Sequence, residues 1–246
     1  HNPATLEAGV AITRQEAWTA RGAELRLPQF IREVVEGIAF AARREKKIDK
    51  RSRVSQRLPL SALENAVSNA ERRALLRGES VVAPRIADVY AALPSMTGKF
   101  ELEYEGELKG AETIARELIR AAVANVADGY LAHLETRQVV EWFDLGGSLQ
   151  LADTMSAADV IQHAGQVQGL VELAQAAGVP KNAPKPMLAA AIDFALEGLY
   201  ALKKISRSEE RGYHASDTPV RRPSRQEREF DENTPVPGGQ KKKYYN

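Results

Sequence analysis

A succession of apolar stripes at helical spacing, each bounded by glycine or proline, most constrains what this chain can fold into. Ile31, Val34, Val35, Ile38, Ala41 and Ala42 fall at the i, i+3, i+4, i+7 intervals that line one face of an α-helix. Leu60, Leu63, Val67, Ala70 and Ala74 repeat the pattern, as do Ile114, Leu118, Ala122 and Val126, and then Val160, Ala164, Val167, Val171 and Ala174. Helices striped in this way bury their apolar faces against one another, so the predicted fold class is all-α. Composition agrees, because Ala and Leu dominate where a sheet protein would use Val, Ile and Tyr. Hydrophobic residues make up 43% of the 246, enough for a sizeable core.

Punctuation sets the elements. Pro28 suits a first helical position, since its missing N–H would be unpaired there anyway. The helix it opens fades into Arg43-Arg44-Glu45-Lys46-Lys47, where cations favour the negative helix end. A second helix is expected from about Ser55 to Arg77, with Gly78 as its C-terminal cap. Pro84 starts another through Ile86, Val89 and Tyr90, stopped before Pro94. Phe100, Leu102 and Tyr104 then alternate with Glu101, Glu103 and Glu105, a two-residue period that predicts a short half-buried strand over 100–108.

Helical character resumes from Ala111 to about Leu134, and Val139 to Phe143 adds a short turn ended by Gly146-Gly147. Ser156 with Asp159 has the form of a capping box opening a helix that Gly178 and Pro180 close. A last helix is expected from Pro186 to about Ile205. From Ser206 onward charges, Ser, Pro and Gly dominate, and the composition predicts a disordered tail. The expected organisation is a linker with a helical turn or two (1–26), a helical subdomain (27–94), a β-like connector (95–110), a helical C-terminal bundle (111–205) and the tail (206–246).

Charge and cysteine content exclude several functions. With 34 basic and 33 acidic residues the net charge is +1, which gives no long-range field for nucleic acid or an anionic membrane. The absence of cysteine excludes disulfides, thiolate zinc sites and a cysteine nucleophile, and fits a reducing, cytoplasmic location. No apolar run reaches the roughly 20 residues that span a bilayer. The sequence opens on His1-Asn2-Pro3 rather than methionine, so the expectation is a piece of a longer protein.

Candidate chemistry is sparse. The basic run from Arg43 to Arg53 holds seven Lys or Arg but lacks the interleaved aromatics that stack single-stranded bases, which argues against nucleic acid. Glu101, Glu103, Glu105 and Glu107 would suit a hard cation or, more simply, the solvent face of a strand. His133 and His163 have no partner at metal-ligand spacing. Trp142 and Phe143 either anchor a partner protein or close a small core. No metal site and no catalytic residue is assigned.

The most informative stretch is Arg53-Val54-Ser55-Gln56-Arg57, which leads through Leu60 to Leu75-Leu76-Arg77-Gly78 and then to Val81-Val82-Ala83-Pro84. An arginine in the first turn of a helix sits where unpaired N–H groups and the helix dipole favour an anion, and its planar fork matches phosphate oxygens. By chemistry alone a solvated surface arginine is the better account of Arg57, since arginines near helix starts are common. The stretch resembles the sensor-2 segment of the MoxR and magnesium-chelatase branch of AAA+ ATPases. There a Ser-x-Arg turn starts a lid helix ending in Leu-Leu-Arg-Gly, followed by a Val-x-Pro turn. Thr13-Arg14-Gln15-Glu16-Ala17 and Ser95-Met96-Thr97-Gly98-Lys99 to Gly106 are also similar to segments flanking that lid. The similarity covers residues 1–110; beyond them it is general, together with the Lys-Lys-Lys-Tyr-Tyr-Asn ending.

The resemblance implies an upstream AAA+ core joined by residues 1–26, a lid over 27–94, and Arg57 reaching the γ-phosphate of ATP with Ser55 and Gln56 beside it. It also implies ATP and Mg²⁺ as cofactors of the intact protein, a homo-oligomeric ring, and a partner carrying a von Willebrand factor A domain. Hydrolysis would drive remodelling of that partner or metal insertion. The chain departs from the family in having no G-x-x-x-x-G-K-[ST] phosphate loop. Thr97-Gly98-Lys99 is not one, because Leu93 stands where the first glycine belongs and Phe100 replaces the hydroxyl. No apolar strand ends in Asp-Glu to hold Mg²⁺. These residues alone are therefore expected to bind no cofactor and to hydrolyse no ATP. The competing class is a non-enzymatic helical adaptor that binds protein through residues 110–205.

Overall fold

The computed structural model describes residues 2–52 and 54–216, which form eleven α-helices and two pairs of short strands. Helix α1 (Leu6–Glu16) starts at Thr5, whose hydroxyl accepts from the Ala8 amide at 3.2 Å. A linker with a helical turn or two was expected here. Instead an 11-residue helix packs on α2 (Gln29–Arg44), because Val10 and Thr13 are buried against it. The Thr13 hydroxyl is satisfied by the carbonyls of Gly9 and Val10, both at 3.1 Å. Helix α2 buries Ile31, Val34, Val35, Ile38 and Ala42, the stripe legible in the sequence, and Pro28 stands at its N-cap.

Helix α3 (Arg57–Arg77) ends at Gly78, whose φ of 66° is the left-handed conformation a C-cap takes. Strand β1 (Glu24–Leu25) pairs in parallel with β2 (Val81–Val82) and so closes the far end of this unit. The chain then enters α4 (Ile86–Ala91) and α5 (Pro94–Thr97), and α4 is held to α3 by the buried Arg73–Asp88 ion pair at 2.5 Å.

The connector differs from expectation. Only Leu102 pairs, in a single antiparallel bridge with Ile48, and from Tyr104 the chain forms α6 (Tyr104–Lys109). Two residues defeat the strand. Tyr104, which had to be buried, is 74% exposed, and Gly106 lies so close to the Lys47 carbonyl that a Cβ there would collide with it.

Helix α7 (Ala111–Leu131) is followed by α8 (Arg137–Asp144) and α9 (Ala157–Ala164), the last opened by the Ser156–Asp159 capping box. The single helix expected from there is divided, and α10 (Leu170–Ala176) starts at Gly169 with φ 81°. Helix α11 (Lys185–Ala201) ends before Ile205, and β3 (Ile205–Ser208) pairs antiparallel with β4 (Gly212–Ala215). This hairpin corrects the disordered tail expected from Ser206. Ile205 and Tyr213 are buried, and Tyr213 exchanges backbone hydrogen bonds with Leu149 at 2.9 and 2.8 Å. The remainder of that tail, 217–246, lies outside the described residues.

A continuous apolar core runs from Phe30 to Tyr213. Helix α7 packs against both α2 and α11, and the Phe30 ring of α2 stacks on Phe194 of α11 with centroids 4.4 Å apart. Tyr130 of α7 meets both rings edge-on, at 6.3 and 5.5 Å. The segments 27–94 and 111–205 thus share one core. Among the described residues no helix is long and apolar enough to cross a membrane.

Candidate functional site

The corner where α3 begins is built from α2 and the turn before Arg57. The Ser55 hydroxyl accepts from the Arg57 amide at 3.3 Å and the Ser55 carbonyl accepts from the Leu58 amide at 3.2 Å, so Ser55 shapes the turn into α3, whose N-cap residue is Gln56. Gln56 turns inward. Its Nε2 donates to both carboxylate oxygens of Glu36, at 2.9 and 2.8 Å, while its Oε1 accepts from Nη2 of Arg43 at 3.1 Å. Arg43 also donates from Nε to the Val54 carbonyl at 3.2 Å, and its guanidinium lies over the Phe40 ring. Arg57 points the other way. It is exposed, and its guanidinium has no hydrogen-bond or ion-pair partner among the described residues. The three residues singled out in the sequence therefore share one turn but divide into a turn-former, an anchored N-cap residue and a cation with no partner among the described residues.

Glu36 is fully buried, and desolvation pushes its carboxyl above the usual carboxylate range, although the Gln56 hydrogen bonds and the Arg43 charge oppose the shift. Gly9 of α1 lies directly over this carboxylate, and a Cβ at position 9 would collide with its Cδ and Oε1. Sequence reasoning missed Glu36 and Arg43 as partners of the turn. The available signal was a carboxylate inside Val34-Val35-Glu36-Gly37-Ile38-Ala39, a run whose members are all buried.

A second charged site lies between α4, α7, α11 and the β3–β4 hairpin, around a groove of about 590 Å³. Glu197 of α11 is buried, accepts from the Tyr213 hydroxyl at 2.5 Å and pairs with Arg207. One turn earlier Asp193 accepts from the Ala87 amide at 3.1 Å. Burial and the neighbouring Glu197 charge raise the Asp193 carboxyl to about 6. Buried Arg85 donates from Nη1 to the Met155 carbonyl at 3.0 Å, while its Nε and Nη2 have no partner among the described residues. Arg116, Arg120 and Arg207 face Glu117, Asp153, Glu197 and Glu209 around the groove, so it favours neither sign of ligand charge. Sequence reasoning missed this site too. Its signal was a pair of carboxylates four residues apart, Asp193 and Glu197, in a helix that is otherwise almost wholly apolar.

The remaining sequence candidates are dispersed. Glu101, Glu103, Glu105 and Glu107 are all exposed, with Glu103 at the N-cap of α6 and the next two in its first turn. Among the described residues no group of three or more His, Asp or Glu could hold a metal ion. His133 is exposed, and His163 Nδ1 lies 2.8 Å from the Asp159 carbonyl. Phe143 is buried, with half-buried Trp142 set edge-on to it at 5.1 Å. In the basic run Lys47 pairs with Glu45 and Arg51 with Asp49, and Arg53 lies outside the described residues.

No family model, no curated protein and no solved structure matches this chain. A functional assignment rests on the residues quoted above and on the geometry of the α2–α3 corner.

Proposed function

We propose that this chain forms the nucleotide-responsive lid of an AAA+-type ATPase resembling the magnesium-chelatase and MoxR branch, with Arg57 as the residue that meets the γ-phosphate. The observation that supports this is the division of labour at the α3 N-terminus. Gln56 is bonded from both sides, while the next residue offers an exposed guanidinium, without a partner among the described residues, at the start of a 21-residue helix. The first-turn amides of Arg57 and Leu58 are already taken by Ser55 and Pro59 has none, so what suits phosphate oxygens here is the planar donor fork of Arg57 itself. ATP supplies the phosphoryl group to be transferred to water; Arg57 orients that group and offsets charge growing on its oxygens.

The fit is partial. Arg57 suits a phosphate, but the described residues offer no carboxylate cluster for Mg²⁺, and the sequence has no phosphate loop. Those parts must come from polypeptide outside these 246 residues. Oligomeric assembly, a von Willebrand factor A domain partner and the use of hydrolysis for remodelling or metal insertion belong to the same proposal.

In an ATPase that carries this chain, Arg57→Ala should lower ATP turnover by roughly 10²–10³-fold, as loss of one preorganised electrostatic donor does. Unchanged turnover, or no ATP binding by that protein, would overturn the reading and leave the helical adaptor as the better account.

A further inference from the structure

Three helices converge behind Arg57 on one half-buried polar chain that ends on the buried Glu36. The Glu36 carboxylate of α2 accepts from the Gln56 amide, whose oxygen accepts from Arg43, and Arg43 holds the Val54 carbonyl. Gln56 suits this place because it is at once a donor toward an anion and an acceptor toward a cation, which neither Glu nor Lys can be. Gly9 of α1 covers the Glu36 carboxylate so closely that a Cβ there would force one of the two to shift. The Glu36 carboxylate is buried with the Gln56 amide as its donor and the Arg43 charge nearby, so its desolvation is offset only while this turn holds its place.

We infer that Glu36, Gln56 and Arg43 form a positioning unit for Arg57, and that α1, through Gly9, sets its alignment. The inference rests on the lid reading above. The Gln56 side chain, held by Glu36 and Arg43, fixes the backbone of the turn, and the turn fixes where the Arg57 side chain leaves α3. Arg57 makes no other bond among the described residues, so this turn is what aims it. A displacement of about 1 Å in a catalytic group can lower a rate by about 10²-fold, so a loosened turn is read directly in turnover.

The test uses an ATPase containing this chain. Gln56→Glu sets two carboxylates against each other and should lower kcat roughly 10-fold or more, with KM for ATP changed less than about twofold. The exchange Glu36→Gln with Gln56→Glu restores an amide-to-carboxylate bond and leaves Arg43 an acceptor, so it should recover most of the lost kcat. In an Arg57→Ala background Gln56→Glu should cause no further loss, because its effect passes through Arg57. Additive losses, or no recovery in the exchanged pair, would overturn the positioning role while leaving Arg57 itself in place. An inert Arg57→Ala would overturn both. Should Gln56→Glu fail to fold, Gln56→Met and Gly9→Ala carry the same non-additivity requirement.

Discussion

Asp193 is nearly buried on α11 with the Ala87 amide as its donor, and desolvation lifts its carboxyl from an ordinary 3.8 to about 6. The folded chain therefore holds this proton more tightly than the unfolded chain. Its favourable contribution is complete below about pH 4 and is lost as pH rises through about 6. A shift of about 2 units corresponds to about 3 kcal/mol. Asp193→Asn keeps an acceptor for Ala87 and removes the titration, so its stability relative to the parent should rise between pH 4.5 and 7.5. Thermal unfolding of both proteins across that range checks this, and parallel profiles would refute it. Gly78 is a simpler case. A Cβ there meets nothing within 4 Å, so Gly78→Ala loses only the ease of a left-handed φ of 66°. It should cost about 1 kcal/mol in urea denaturation.

Between elements the buried Arg73–Asp88 pair ties α3 to α4. Asp88 accepts from Arg73, from the Asn69 amide at 2.6 Å and from the Arg85 backbone at 2.8 Å. Asp88→Ala leaves the Arg73 guanidinium buried without its counter-charge and should destabilise by about 3–5 kcal/mol. A loss below about 1 kcal/mol, measured by chemical denaturation, would mean that Arg73 reaches solvent. Helices α2, α3 and α7 were legible because their stripes are long and their ends carry Pro28, Gly78 or Gly110. Helix α6 and the break between α9 and α10 were not, because each is decided by a close approach of glycine to a distant segment. Gly106 lies against the Lys47 carbonyl and Gly169 against the Gln138 side chain.

Across the whole molecule the Phe30–Phe194–Tyr130 cluster joins segments that sequence alone placed in separate units. Phe194→Ala opens the centre of that cluster and should cost about 3–5 kcal/mol. One cooperative transition should persist by both near- and far-ultraviolet signals, since a shared core unfolds as one. Two separated transitions in the parent protein would show that the halves melt independently.

The sequence by itself determined the helical class, most helix starts and stops, and the Ser55-Gln56-Arg57 turn, because these depend on local periodicity and capping chemistry. It could not show that Gln56 meets Glu36 and Arg43 while the Arg57 guanidinium finds no partner among the described residues. Nor could it show that Ile205 and Tyr213 recruit the start of an apparent tail into a hairpin. Those outcomes turn on which buried polar group finds a partner across the core, and only packing of distant segments supplies one.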